Sequence, residues 1–326
     1  MTMTGTVTPR ISKRSVSVHG QLAAIFVFLF AGQTLAATCL ETDPVAIEWL
    51  QKMSHSSHVV NYRGVVTFQR GDDMQVMQIA HSVSGDSATE SLTRLTGQGA
   101  QVLRSDHPLE CIHPGHKLLR LGLNKDGGEC GIAQHYRIEV GDGERVAGRD
   151  SVRVKIEPRD MYRYGYVMEL DRETALLLKV STVGRGARIL ERFQFADLTY
   201  GQEQHSAVPV ETVHLADHPV PSQPGTSRTL GVAWEIKWLP SGFMPTDSSE
   251  QADGRRTYTD GLAVFSVFLE PLRGVIKPGE GVARQGSTIS YTRGMSLSGA
   301  PVLVTVIGEV PVNTARMVAD SISRLK

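Results

Sequence analysis

Hydrophobic and polar residues change their period several times along this chain, and each change marks an element. Ala46, Leu50 and Met53, with Trp49 beside them, recur at helical spacing, and Asp43-Pro44 just before them reads as an N-cap followed by proline at the first helical position. A short helix is expected there, with His55 and His58 at its exposed end. The period then falls to two. Arg63 to Arg70 and Met74 to Ala80 flank Gly71-Asp72-Asp73 and predict a hairpin. Val152, Val154 and Ile156 alternate with Arg153, Lys155 and Glu157, a half-buried antiparallel strand ended by Pro158. Tyr162, Tyr164, Tyr166, Met168 and Leu170 then share one strand face. Asp171 to Thr174 is polar turn material whose acids are expected to be solvated, and strands return over Leu176–Val180 and Ile189–Phe195.

This is a meander of antiparallel strands, as in an open sheet or barrel. The signal fades between Gly201 and Leu230, where His218-Pro219-Val220-Pro221-Ser222-Gln223-Pro224-Gly225 suits a linker. Beyond it Val232, Trp234, Ile236 and Trp238 alternate. Leu262–Leu269 and Val302–Ile307 are apolar on both faces, as central strands of a small covered sheet would be. Asn313 is placed to cap a last helix with Ala315, Val318, Ile322 and Leu325 on its buried side. The expected fold class is mainly β with some helix (α+β), divided as 37–200, a linker over 201–230, and a smaller sheet-and-helix domain over 231–326.

Residues 1–36 read as a signal peptide. Arg10, Lys13 and Arg14 precede the short apolar run Leu22–Phe30, and Thr34-Leu35-Ala36 offers a small-residue cleavage site. The 326-residue chain balances 34 Lys+Arg against 34 Asp+Glu. Loss of the three basic leader residues leaves 31 against 34, a charge of −3. Such a balance argues against nucleic acid as a partner. Export places the three cysteines in an oxidising compartment. Cys111–Cys130 is the preferred disulfide because it staples a Gly-rich excursion, with Cys39 an alternative partner or a lipidation site. The odd thiol is left over or pairs between molecules, so a homo-oligomer stays open.

Catalytic chemistry is not visible. His107, Cys111, His113 and His116 lie close together, but their spacing matches no structural zinc pattern. There is no nucleophile elbow, no P-loop and no complete dinucleotide fingerprint. No enzyme activity, no cofactor and no metal are expected. The aromatic stripe is either sheet core or the lining of an apolar concavity that takes acyl chains. As a lipid-responsive wall it comprises Phe68, Met74, Val76, Tyr162, Tyr164, Tyr166, Met168, Phe193 and Phe195. Trp234, Trp238, Phe243, Tyr258 and Arg273 are either candidate partner anchors or the core of the second sheet.

Pro158-Arg159-Asp160-Met161-Tyr162-Arg163-Tyr164-Gly165-Tyr166, Leu170-Asp171-Arg172-Glu173-Thr174, Trp238-Leu239-Pro240-Ser241-Gly242-Phe243, Tyr258-Thr259-Asp260-Gly261-Leu262 and Gly308-Glu309-Val310-Pro311 occur in this order. Together they resemble the MucB/RseB family of periplasmic regulators of a sigma-E type envelope-stress sigma factor. The resemblance implies an N-terminal half-barrel like that of lipoprotein carriers, with covering helices, plus a smaller C-terminal domain. It also implies binding to the periplasmic domain of a single-span anti-sigma factor, which is thereby shielded from regulated proteolysis. Release by lipid or lipopolysaccharide is implied as well, making the protein a negative regulator of transcription; the alternative is a periplasmic lipid or lipoprotein carrier. Ala175 stands where relatives often have glycine, so the turn there is expected to differ in type, and His107–Gly131 matches only weakly.

Overall fold

The computed structural model describes residues 43–84, 87–97, 101–105, 131–201, 233–246, 254–272 and 279–325. The leader, Cys39, Cys111, Cys130, His107, His113, His116, Arg273 and residues 202–230 of the linker lie outside them. Helix α1 (Pro44–Val59) begins as its sequence predicts: Oδ1 of Asp43 accepts a hydrogen bond from the Val45 amide at 2.9 Å, and Pro44 follows. Its buried side is Ala46, Leu50, Met53 and Ser56, while His55 and His58 are exposed.

That side rests on an antiparallel sheet of nine described strands: β1 (Tyr62–Arg70), β2 (Asp73–Ser84), β3 (Ser87–Arg94), β4 (Gln101–Ser105), β5 (Tyr136–Asp142), β6 (Ser151–Pro158), β7 (Gly165–Asp171), β8 (Leu177–Val183) and β9 (Ile189–Tyr200). The spatial order is β4-β3-β2-β1-β9-β8-β7-β6-β5, two meanders joined where β1 pairs with β9. The register shifts at Val65/Val66, Glu169/Leu170 and Thr182/Val183. Such bulges increase local twist and bend the bulged strand, which curves the sheet around α1. Gly64 sits beside the first, where a Cβ would come within 2.3 Å of the Asp197 carbonyl oxygen.

A six-stranded antiparallel sheet follows, built from β11 (Met244–Pro245), β12 (Arg255–Thr259), β13 (Val264–Pro271), β14 (Glu280–Gln285), β15 (Thr288–Leu297) and β16 (Ala300–Gly308), in the order β11-β12-β13-β16-β15-β14. Helix α2 (Val312–Asp320) buries Ala315, Val318 and Ala319 in the same core as Phe265, Val267, Val304 and Val306. A separate ribbon pairs β10 (Trp234–Ile236) with β17 (Ile322–Arg324). The described residues after Leu40 belong to one compact unit.

Four expectations are corrected. The strand expected from Tyr162 begins at Gly165, because Asp160 accepts the Tyr162 amide in a local turn and holds the Arg163 guanidinium. Asp171 is 1% exposed rather than solvated: Arg149 pairs with it, the Tyr200 hydroxyl donates to it and the Glu173 amide adds a bond at 3.0 Å, while Glu173 itself stays in water. Burial alone would raise the Asp171 carboxyl, but the bonds from Arg149 and Tyr200 outweigh it and hold it below the usual carboxylate range. The last helix stops at Asp320, with Pro311 rather than Asn313 at its N-cap position. Ser321 bonds the Val318 and Trp238 carbonyls, and Ile322 leaves as a strand residue. Finally, β13 and β16 are central but alternate between buried and half-exposed residues, since a single face of their sheet is covered. Ala175 takes φ +60°, the left-handed conformation that glycine serves at such a turn.

Leu50 is 4% exposed in the first core, so Leu50→Ala should lower the unfolding free energy by about 2–5 kcal/mol in urea titrations.

Candidate functional site

The nine residues of the aromatic wall separate into three groups. Tyr166, Met168, Phe193 and Phe195 lie in the first core with Leu50 and Met53 of α1, and Phe68 packs against them. They pack together under the helix, and Tyr166, with Tyr162, also borders a groove on β6–β9. Met74 and Val76 sit at the start of β2, where Met74 is 60% exposed. Tyr162 and Tyr164 turn to the second half, at the start of α2: the Tyr164 hydroxyl donates to the Val310 carbonyl at 3.1 Å, and the Tyr162 carbonyl accepts from the Thr314 hydroxyl at 2.9 Å. The Tyr162 ring stands edge-on to Trp238 at 5.1 Å.

Between these sheets lies a buried polar cluster. The Arg163 guanidinium is fully buried and pairs with the equally buried Asp260 at 2.7 Å. It also holds Asp160 at 3.1 Å, donates to the Ser241 carbonyl, and lies over the rings of Tyr136 and Phe243. The other requirements of Asp260 are met locally. Its Oδ1 accepts the amides of Leu262 and Ala263, and its Oδ2 accepts the Tyr136 hydroxyl at 2.9 Å. Burial first, then the Asp260 carboxylate, push the Tyr136 hydroxyl well above its ordinary value, so it remains a donor. The Asp260 turn delivers Leu262, 1% exposed, into the core beneath α1. A second contact lies at the β14–β15 turn, where Gly286 (φ +61°) sits so close to Arg70 and Glu191 that a Cβ would fall 2.4 Å from Glu191.

His135 packs beside this cluster against Gly242, whose φ of +85° and lack of a side chain leave room for the imidazole. Burial, then the nearby Arg163 charge, lower the His135 pKa below its ordinary value, against the opposing pull of Asp260 and Asp160. Of the proposed partner anchors, Trp234, Phe243 and Tyr258 are buried in the second core and Trp238 packs against it. Trp234 additionally lies under the Arg256 guanidinium at 4.2 Å. Sequence reasoning did not single out Asp260 and His135 as members of this junction; only the motif around Asp260 was a signal.

A groove of about 1040 Å³ opens on the face of β6–β9 opposite α1. There Arg153, Lys155, Val167, Glu169, Lys179 and Ser181 alternate with the core residues Val154, Ile156, Met168 and Val180.

Both halves that meet at the junction match known proteins. Residues 45–219 match the MucB/RseB N-terminal domain and residues 229–323 match the MucB/RseB C-terminal domain. The chain belongs to the MucB/RseB family. It is 33% identical over 312 residues to the sigma factor AlgU regulatory protein MucB of Pseudomonas aeruginosa, covering 91% of this chain and 96% of that one. It is 25% identical to the sigma-E factor regulatory protein RseB of Salmonella typhimurium, covering 90% and 95%. A crystal structure of MucB in complex with MucA(peri) matches with a TM-score of 0.67 at 31% identity, covering 86% of this chain and 99% of that one. The likeness to the family thus extends over both sheets.

Removing one member of a buried, hydrogen-bonded ion pair leaves the other charge unpaired. Asp260→Ala should therefore destabilise the protein by about 3–5 kcal/mol in urea titrations, and the Arg163→Met, Asp260→Leu double variant should recover a large part of that loss. A lowered histidine pKa favours the unfolded state on acidification, so the His135 contribution is complete above its ordinary value and is lost as pH falls through the lowered one. The urea midpoint should fall as the pH drops through and below the ordinary histidine value, and His135→Gln should flatten that part of the profile.

Proposed function

We propose that this chain is a periplasmic regulator, exported by residues 1–36, that binds the periplasmic part of a membrane anti-sigma factor, shields it from regulated proteolysis and so restrains an envelope-stress sigma factor. The observation that carries this reading is the likeness to MucB over both sheets, in a structure where MucB is held with MucA(peri). A carrier would need only the first sheet, whereas here Leu262 from the second half completes the first core.

Release by lipid or lipopolysaccharide belongs to the same proposal. An acyl chain would enter beside Tyr166, Met168, Phe193 and Phe195 on displacing α1. The buried Tyr166 hydroxyl, which has no hydrogen-bond partner among the described residues, favours this: it would gain a polar headgroup or water. Lipid and anti-sigma factor need only prefer different relations of the two halves to oppose each other's binding. Trp238 and Phe243, at the junction, are the anchors best placed to sense that change, with Trp234 and Tyr258 in the second core; Arg273 belongs to the same proposed set and lies outside the described residues.

The test is proteolysis of the anti-sigma periplasmic segment by its initiating protease. Stoichiometric protein should slow cleavage at least about tenfold, and lipopolysaccharide should restore it. Unchanged cleavage with protein present would sink the regulator reading. Protection indifferent to lipopolysaccharide would remove the lipid part alone.

A further inference from the structure

The groove on the outer face of β6–β9 has a charge balance unlike the chain as a whole. Its lining holds seven basic residues and four acidic ones, whereas the full sequence has equal numbers. All four acids are already engaged within the groove: Glu144 with Lys179, Glu157 with Lys155 at 2.6 Å, Glu169 with Arg153 at 2.6 Å, and Asp160 with Arg163. Arg185 and Arg192 form no ion-pair contact with a carboxylate among the described residues, although the Arg192 charge is felt at Glu144; Arg192 makes one long bond of 3.4 Å to the Ser181 hydroxyl. Arg185 is carried on an exposed turn, with Gly186 at φ +68°, at the groove's edge.

The strand register sets the spacing of these charges. Lys155 lies opposite Val167, Val167 opposite Ser181, and Ser181 opposite Arg192, so one row crosses β6, β7, β8 and β9 with a cation at each end. Three inter-strand steps of ~4.8 Å put those two backbone positions roughly 14 Å apart. An extended polypeptide advances ~3.4 Å per residue, so residues four apart are separated by about the same distance and point to the same side. Apolar surface accompanies the row: Val167 and Val183 line the groove, and Met161 and Ile189 expose 46% and 44% of their surface there. The groove is open, which leaves an alkyl tail in water but suits a backbone that keeps its own solvation.

We infer that this face is a docking groove for an extended segment of the anti-sigma partner carrying two carboxylates four residues apart with an apolar residue between them. The inference rests on the partner reading above and adds its seat. One carboxylate meets Arg192 and Arg185. The other displaces the exposed Glu157 from Lys155, a surface pair worth little on its own.

The experiment compares the purified protein with Arg185→Glu/Arg192→Glu, both positions lying outside the two cores, using fluorescence anisotropy against the labelled anti-sigma periplasmic segment. A second probe is a ten-residue peptide with two glutamates four apart and a leucine midway. Wild type should bind both probes, more weakly as salt rises, and the charge reversal should weaken each at least tenfold. Arg185→Gln/Arg192→Gln serves as a milder variant, and matching circular-dichroism melts check folding. Segment binding within twofold of wild type in these variants overturns the groove while leaving the partner reading intact. If wild type ignores the segment, the partner reading fails and the short peptide decides the groove: charge-dependent binding keeps it, and no binding overturns it. Arginine-dependent sedimentation with phosphatidylglycerol vesicles, in the absence of peptide binding, also overturns it in favour of a membrane surface.

Discussion

The Arg163–Asp260 pair is the constraint on which the arrangement of the described residues turns. Two charges removed from water persist only when every donor and acceptor around them is used. Here Tyr136, Asp160, Ser241 and the amides of Leu262 and Ala263 supply what the pair lacks in solvent. These groups come from both halves of the chain, so the pair's satisfaction and the junction of the sheets are the same condition. A hydrophobic contact would tolerate sliding. A guanidinium shared among two carboxylates and a carbonyl does not, and any alternative arrangement must find other partners for it.

The first sheet uses its two faces for opposite purposes. Toward α1 it is dry and aromatic, and its bulges bend it around the helix. On the other side the same strands present a lattice of cations and carboxylates in register. Strand alternation makes this division unavoidable once the core is chosen, because each inward Met168 or Val180 sets a neighbour outward. An apolar ligand and an acidic one would therefore meet different faces of one layer. Coupling between them needs no longer path than the thickness of a strand.

Much of this was legible in the sequence. The helix cap at Asp43-Pro44, the first hairpin and the strands of β6 to β9 follow from local patterning, where each residue's neighbours in sequence are also its neighbours in space. What local pattern could not supply was pairing at long range. Tyr162 and Tyr164 continue a period-two stripe, yet the Asp160 turn keeps them out of the strand, and their bonds to Thr314 and Val310 reach across to the second half. Asp171 looks like turn acid until Arg149 and Tyr200 are brought to it. Asp260 lies 97 residues from Arg163, and nothing in composition or spacing joins them. The aromatic wall was found as a set of residues, but whether it is core or lining depends on where α1 lies.

Leu262 has a consequence for how such a molecule is made. Synthesis runs from the N-terminus, and the first sheet is complete in sequence at Tyr200. Its core is not, since the side chain that finishes it lies about 60 residues further on. A fragment ending at Tyr200 would keep every described strand of the first sheet and still lack one buried aliphatic side chain of its core. The packing of the first sheet is therefore finished only when the second half docks against it. Its own closing residue is among the later parts of the chain to arrive.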